Sequence, residues 1–433
     1  MDEHASKPRP RLGIIISMFP ELHETFILRE LVALERRGVE FDIYSLQYPR
    51  DPITMEDAIR LSTERTFYSP LLSLGSVGAF LRAVRHHPVK LLKAMGQVVL
   101  KGRDRPMDIV KNLAILPLSL YIGEQGRQRG VNHWHGHWAN IPTTACWYLQ
   151  QIHAEPWSAA IHGEDIFSPN RFLRYKLDDA AFAVVCSGYF CNHLKQEMGL
   201  DDPEKIHLNY HGLDPRVLQH VPDKQFRERT ADEPLRLISI GRLVPTKGHD
   251  VLIRACAALL DSGRELQLSI IGSGPIEQEL KALAEAEGIA RKVDFRGALA
   301  FADVLEALDQ SDIFCLAPRL IPGHPPDGIP NVIAEAMALR LPVVTTRVSA
   351  IPELVSDTET GLLVEVDDVQ GFAASVERLA ADPELARHLS EQASERVARL
   401  FNQKQNIDEL LALFEQHVPG GVPMADMAVP PSQ

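Results

Sequence analysis

Two carboxylates eight positions apart, Asp327 and Glu335, stand in the stretch D-G-I-P-N-V-I-A-E-A-M-A at residues 327–338. Pro330 between them suits the first position of a helix, where its missing N–H costs nothing. The N–H groups of Asn331 and Val332 then lack a partner inside the helix and point to where an anion can sit. One acid lies just before this phosphate-sized site, and the second lies further along a helix of about 3.6 residues per turn. The arrangement suggests a nucleotide-sugar pocket. Taken alone, the stretch reads equally well as a surface helix with an acid at its start and a solvated acid on its face.

More groups of matching chemistry follow short apolar runs. After residues 235–240 comes G-R-L-V-P-T-K-G, with Gly241, Arg242 and Lys247. After 266–271 comes G-S-G-P, with Gly272 and Gly274, and after 313–316 a long loop leads into Asp327. An arginine can hold two oxygens and a lysine is a compact point charge, so the set would hold a diphosphate. Each feature is weak singly, since surface cations and glycine turns are common; the set is more specific.

The elements that must position these groups are legible as apolar runs. They lie at 12–17, 41–46, 158–162, 182–186 and 206–210, then at 235–240, 266–271, 293–295, 313–316, 343–345 and 362–364. Continuous apolarity suits parallel strands buried on both faces, and alternation with helical patterns suits doubly wound sheets. In such sheets ligands bind at the carboxyl ends of strands, where the polar groups above fall.

At 433 residues the chain is expected to form two domains, 1–225 and 226–400, with a polar linker at 221–234. A last helix within 401–417 is expected to pack back on the first domain, and 418–433 reads as a disordered tail. The net charge of −13 falls wholly in the second half: Lys+Arg and Asp+Glu number 26 and 26 up to residue 225, then 19 and 32. That balance argues against nucleic acid as a partner. The five cysteines form no CxxC pair and read as reduced core residues of a cytoplasmic protein. No apolar run reaches the roughly 18 residues of a spanning helix.

The ordered blocks from 235 to 364 resemble the retaining glycosyltransferases of family 4. They are I-G-R-L-V-P-T-K-G, I-I-G-S-G-P, D-G-I-P-N-V-I-A-E-A-M-A, L-P-V-V-T-T and I-P-E-L-V. The first half is similar more loosely, through H-W-H-G-H-W-A, A-A-I-H-G-E-D-I-F, V-C-S-G-Y and Y-H-G-L-D. The opening I-S-M-F-P-E-L-H-E-T-F-I-L-R-E-L and the H-G-E-D-I-F segment resemble the subgroup that builds bacterial exopolysaccharides such as colanic acid and amylovoran. The resemblance implies an α/β GT-B fold: two facing Rossmann-like domains with an interdomain cleft.

It implies, further, that Arg242 and Lys247 bind a donor diphosphate beside Gly241, Gly272 and Gly274. Glu335 would take the ribose hydroxyls, and the Asn331 and Val332 N–H groups the distal phosphate. Arg296 and Gly297 stand where relatives hold the base. Asp327 takes the place of the family's usual Glu, one methylene shorter, and His162 matches the active-site His. With Arg242 and Lys247 these form the expected catalytic group. Glu24, Thr25 and His137 are expected acceptor contacts. The donor would be a UDP- or GDP-sugar, with no cofactor or metal, and the acceptor a lipid-linked or growing polysaccharide. Alternatives are a small-molecule acceptor, or nucleotide-sugar binding without catalysis.

His133, His135 and His137 alternate, and on a strand would share a face fit for zinc, but no nearby cysteine or acid completes a set. His324, beside Asp327, reads as an acceptor contact or a plain loop residue. No G-x-S-x-G or P-loop pattern occurs. Residues 71–105 form a basic amphipathic region. From 79 to 105 it holds Arg82, Arg85, Lys90, Lys93, Lys101, Arg103 and Arg105 against the single acid Asp104. Such helices lie on anionic lipid, here the inner face of the plasma membrane, or pack on the first sheet with a solvated basic face.

Overall fold

The computed structural model describes residues 11–21, 24–53, 55–102, 106–167, 171–219, 226, 233–324, 326–418 and 420–421. The chain forms two compact units: Met1–Gly212 together with Gln403–Gln433, and Leu213–Asn402. The chain leaves the first unit at Gly212, before the boundary expected at 225. Residues 213–219 pack within the second unit: the Leu213 N–H donates to Phe401 O at 3.0 Å, and Leu213 and Val217 are fully buried. Most of the expected linker and tail, including 422–433, lies outside the described residues. Val418, where that tail was to begin, is buried in the first unit's core.

The first unit holds a seven-stranded parallel sheet. Its strands are β1 (Arg11–Met18), β2 (Phe41–Gln47), β3 (Thr66–Tyr68), β4 (Val131–His137), β5 (Trp157–Ile161), β6 (Ala183–Val185) and β7 (Ile206–Leu208), in the order β3-β2-β1-β4-β5-β6-β7. Apolar clusters cover both faces: on β1, Ile15 joins one while Leu12, Ile14 and Ile16 join the other. Burial on both sides explains why these strands read as unbroken apolar runs.

The second unit repeats the plan with β8 (Leu235–Ile240), β9 (Leu266–Ile271), β10 (Val293–Gly297), β11 (Ile313–Leu316), β12 (Val343–Thr346) and β13 (Leu362–Val364), ordered β10-β9-β8-β11-β12-β13. Each sheet thus reverses direction once, between β1 and β4 and between β8 and β11. In a doubly wound sheet that switch point opens a crevice at the strands' carboxyl ends. The structure is therefore of the α/β GT-B class, two Rossmann-like domains. The last helix, Gln403–His417, closes one face of the first sheet with Ile407, Leu410 and Phe414. No helix among the described residues is long and apolar enough to cross a membrane.

Candidate active site

At the second sheet's switch point, the turn after β8 and the loop after β11 meet. Lys247 ends a short 3-10 turn, Pro245–Lys247, and its Nζ lies 2.9 Å from Asp327 Oδ2. The two residues are eighty positions apart in sequence and ion-paired in space. The turn approaches its neighbour so closely that only glycine fits after it. Gly248 has φ 66°, and a Cβ there would come within 1.8 Å of Ala317 O. Arg319 fastens the same two segments: its Nε donates to Pro245 O at 3.0 Å, while its terminal nitrogens pair with Asp250 at 2.6 Å and Asp367 at 2.8 Å. The Ser349 hydroxyl donates to Asp327 O at 2.6 Å.

Arg242 projects exposed from the same strand exit. Beside it, Gly241, Gly272 and Gly297 form a floor across three adjacent strand ends, with the Gly272 N–H donating to Gly297 O at 2.8 Å. Gly272 has φ 140°, and a Cβ there would lie 2.0 Å from Gly241 O, so no side chain can intrude. Gly274 continues this turn, its backbone against Leu243, and exposed Arg296 sits on edge strand β10.

The helix Asn331–Ala338 begins one residue later than expected. Pro330 is its N-cap, with ψ 121°, rather than its first helical residue. Proline still suits the place, because its fixed φ leads into the helix. The partly exposed Asn331 and Val332 offer first-turn N–H groups with no intrahelical acceptor. Glu335 is 8% exposed on the buried side of that helix. Buried His249, which opens the helix His249–Asp261, has its pKa pushed down to about 4, chiefly by burial and then by the Lys247 charge. An uncharged imidazole therefore stands beside the lysine.

In the first unit, the residues expected at the site cluster around His162, which follows β5. Phe26, Trp138 and His211 surround its ring at centroid distances of 4.8, 4.7 and 5.0 Å, and His137 stacks on it at 5.9 Å. Burial first, then the His211, His137 and His135 rings, hold its pKa well below the usual imidazole range. It is an uncharged imidazole whose two buried ring nitrogens have no hydrogen-bond partner among the described residues.

A cavity of about 810 Å³ opens at this sheet's switch point, lined by Glu24, Trp138, Asn140 and the stacked pair Tyr48 and Tyr68, whose rings lie 4.7 Å apart. Glu24 precedes the helix Thr25–Arg36, and Thr25 is its first residue. His137, expected as an acceptor contact, is fully buried behind His162, and neither of these residues nor Thr25 lines the cavity. Buried Lys176 secures the cavity's edge by donating to Ala139 O at 2.7 Å and Asn140 O at 2.9 Å. His324 is exposed in its loop.

Several of these residues escaped the sequence reading. Arg319 stood in the long loop before Asp327 but looked like any surface cation, and His249 adjoined the K-G pair with no spacing to mark it. The aromatic platform joins residues from β3, the loop after β2 and the loop after β4, which no short motif spans.

Comparison with known proteins fits this geometry. Residues 221–396 match the family model described as glycosyl transferases group 1. The chain is 27% identical over 423 residues to WcaL of Escherichia coli (strain K12), named as a colanic acid biosynthesis glycosyltransferase, covering 94% of this chain and 99% of that protein. It is 31% identical over 216 residues to the amylovoran biosynthesis glycosyltransferase AmsK of Erwinia amylovora, covering 49% of this chain and 51% of that protein, about half its length. The lipopolysaccharide core biosynthesis glycosyltransferase LpsE of Rhizobium meliloti (strain 1021) is 32% identical over 246 residues, covering 57% of this chain and 67% of that protein. Among solved structures, Anabaena HepE in complex with UDP superposes with a TM-score of 0.67 at 16% identity, over 93% of this chain and 99% of that one. With a Lys–Asp pair and a glycine floor at the switch point of its second Rossmann-like sheet, the chain belongs to the group 1 glycosyltransferases.

Proposed function

We propose that the protein is a retaining, family 4 type glycosyltransferase that moves a sugar from a UDP- or GDP-sugar to a lipid-linked or growing polysaccharide acceptor. The observation that carries this reading is the Lys247–Asp327 pair, 2.9 Å long, beside the glycine floor and the open helix start. The names of the WcaL and AmsK relatives support an exopolysaccharide product, and the UDP held by HepE supports a nucleotide-sugar donor.

In the proposed reaction the sugar's anomeric C–O bond to the diphosphate breaks as the acceptor oxygen bonds to the same face. The acceptor's proton passes to the departing phosphate oxygen. Lys247, Arg242 and the Asn331 and Val332 N–H groups stabilise the charge that grows on the diphosphate, more strongly in the transition state than before it. Asp327 orients Lys247, and Glu335 serves the ribose. A thermal-shift panel of UDP-, GDP- and ADP-sugars tests the donor half: one donor should raise the melting temperature, and not in Lys247→Ala. If no donor stabilises the native chain, the reading fails.

For the acceptor side we infer peripheral attachment to the inner face of the plasma membrane. Helices Leu74–His86 and Pro88–Lys101 bury Leu91 and Val98 but expose Leu74, Leu81, Val89, Leu92 and Leu100, each by 60% or more. Arg85 and Lys93 stand exposed among them, while Arg103, Asp104 and Arg105 lie outside the described residues. Apolar side chains amid cations suit anionic lipid. Flotation with anionic vesicles should recover the chain at low salt and lose it in Leu92→Glu; indifference to lipid charge would refute the attachment.

A further inference from the structure

Beneath the first switch point, three ligand-bearing side chains from two elements converge. His135 and His137 lie on one face of β4, and Glu30 comes from the helix Thr25–Arg36. One ligand atom from each lies within 4.8 Å of the other two. This is the acid that the H-x-H-x-H segment lacked in sequence, supplied by a residue more than a hundred positions away.

The donor set is prepared for an ion. His137 Nε2 and Glu30 Oε1 are 3.3 Å apart, close to the edge of a tetrahedron whose zinc–ligand bonds are about 2.0–2.1 Å. His135 Nδ1 is engaged with Ser158 Oγ at 2.8 Å, which leaves Nε2 as the ligand atom. The same hydroxyl lies 2.8 Å from His133 Nε2, so it fixes ring orientation as outer partners of metal-binding histidines do. His135 Nε2, both nitrogens of His137 and Glu30 Oε1 have no hydrogen-bond partner.

The two rings are 1% and 0% exposed, and Phe414 meets His135 edge-on at 5.2 Å. A Glu30–His137 ion pair would occupy only one of these nitrogens and leave two bare in a place closed to water. A cation on all three residues engages the carboxylate and one nitrogen of each ring, one more nitrogen than the ion pair does. We propose that Glu30, His135 and His137 bind a divalent transition-metal ion of the zinc type. The ion would tie the helix that begins at Thr25 to β4, one imidazole behind His162.

The full-length chain, stripped with a chelator, is titrated with Co²⁺ alone and then with Zn²⁺. One Co²⁺ per chain should bind, with visible absorption of low-coordinate cobalt that one equivalent of Zn²⁺ removes. Glu30→Gln and His135→Asn should weaken binding by at least about 100-fold, and Ser158→Ala by about tenfold. Far-UV circular dichroism of the metal-free variants separates loss of the site from loss of the fold. Should they not fold, X-ray absorption of the zinc-loaded native chain gives the answer: two imidazoles and oxygen support the site. A cobalt–thiolate charge-transfer band, or sulfur at the zinc, would put the ion on His162, Cys186 and His211, whose ligand atoms also lie within 4.8 Å of one another. That outcome overturns the proposal, as would no stoichiometric uptake or unchanged affinity in Glu30→Gln.

Discussion

The switch points of the two sheets share a topology and differ in almost everything placed on it. In the second unit the crevice carries exposed Arg242, the Lys247–Asp327 pair and bare backbone at Gly241 and Gly272. In the first, the corresponding place carries rings: His162 packed by Phe26 and Trp138, and beyond them the stacked Tyr48 and Tyr68. Fixed charge with backbone access suits a diphosphate, whose oxygens want cations and N–H groups. Neutral imidazoles and aromatic faces suit hydroxyls and the apolar faces of sugar rings. One scaffold supports both because its loops, rather than its strands, carry the difference.

The contrast can be tested from the charged side first. Lys247→Ala should reduce kcat by about 10²–10³-fold, ~2.7–4 kcal/mol, with the near-native melting curve of the unliganded chain retained. Turnover within a few-fold of native would remove Lys247 from the reaction.

Acid should then separate the units in the metal-free chain. His133 (pKa about 3), His135 and His162 (both well below the ordinary value) are buried uncharged in the first unit; burial is the main cause in each. Their counterpart in the second unit is His249, at about 4. Their folded pKa values are depressed, so below about pH 6.5 the unfolded chain takes up protons that the folded chain refuses. Stability is complete above that pH and falls as pH drops, by up to about 1.4 kcal/mol per unit for each buried ring. Hydrogen exchange at pH 5 should show the first unit opening before the second; equal losses of protection would break the asymmetry.

Asp327→Asn keeps the loop but discharges the partner of Lys247, and should lower kcat/KM by about tenfold, ~1.4 kcal/mol. Unchanged kinetics would reduce Asp327 to a role in the loop alone. The smallest effect is expected on the aromatic side: Tyr48→Ala should raise the acceptor KM roughly threefold to tenfold with kcat nearly constant. A fall in kcat alone would mean that the platform does not hold the acceptor.

The charged site was far more legible in the sequence than the aromatic one, for a physical reason. Phosphate-binding groups gather in the first residues after a strand, so Gly241, Arg242, Lys247 and Gly272 each followed a recognisable apolar run. β4 escaped that reading because alternating histidines and tryptophans do not make such a run; its histidines face Phe182 and Phe414 while Trp134 joins the opposite cluster. β3 is three half-buried residues, too short to mark itself. The Lys247–Asp327 and Glu30–His137 pairs join residues brought together only by strand order, which no local spacing encodes.

The chain's return to the first unit at Gln403 bears on how the protein is made. The two crossings run side by side: the Asn209 amide donates to Asn406 O at 2.9 Å, and the Asn406 amide donates to Tyr210 O at 2.7 Å. The second unit is thus one continuous segment, whereas the first is split around it. On the ribosome the second unit can complete its core as soon as Asn402 has emerged. The first must wait, with the part of its sheet around Phe182 uncovered, until Ile407, Leu410 and Phe414 arrive. The half made first is the half finished last, and in that interval its exposed apolar sheet face is open to chaperones.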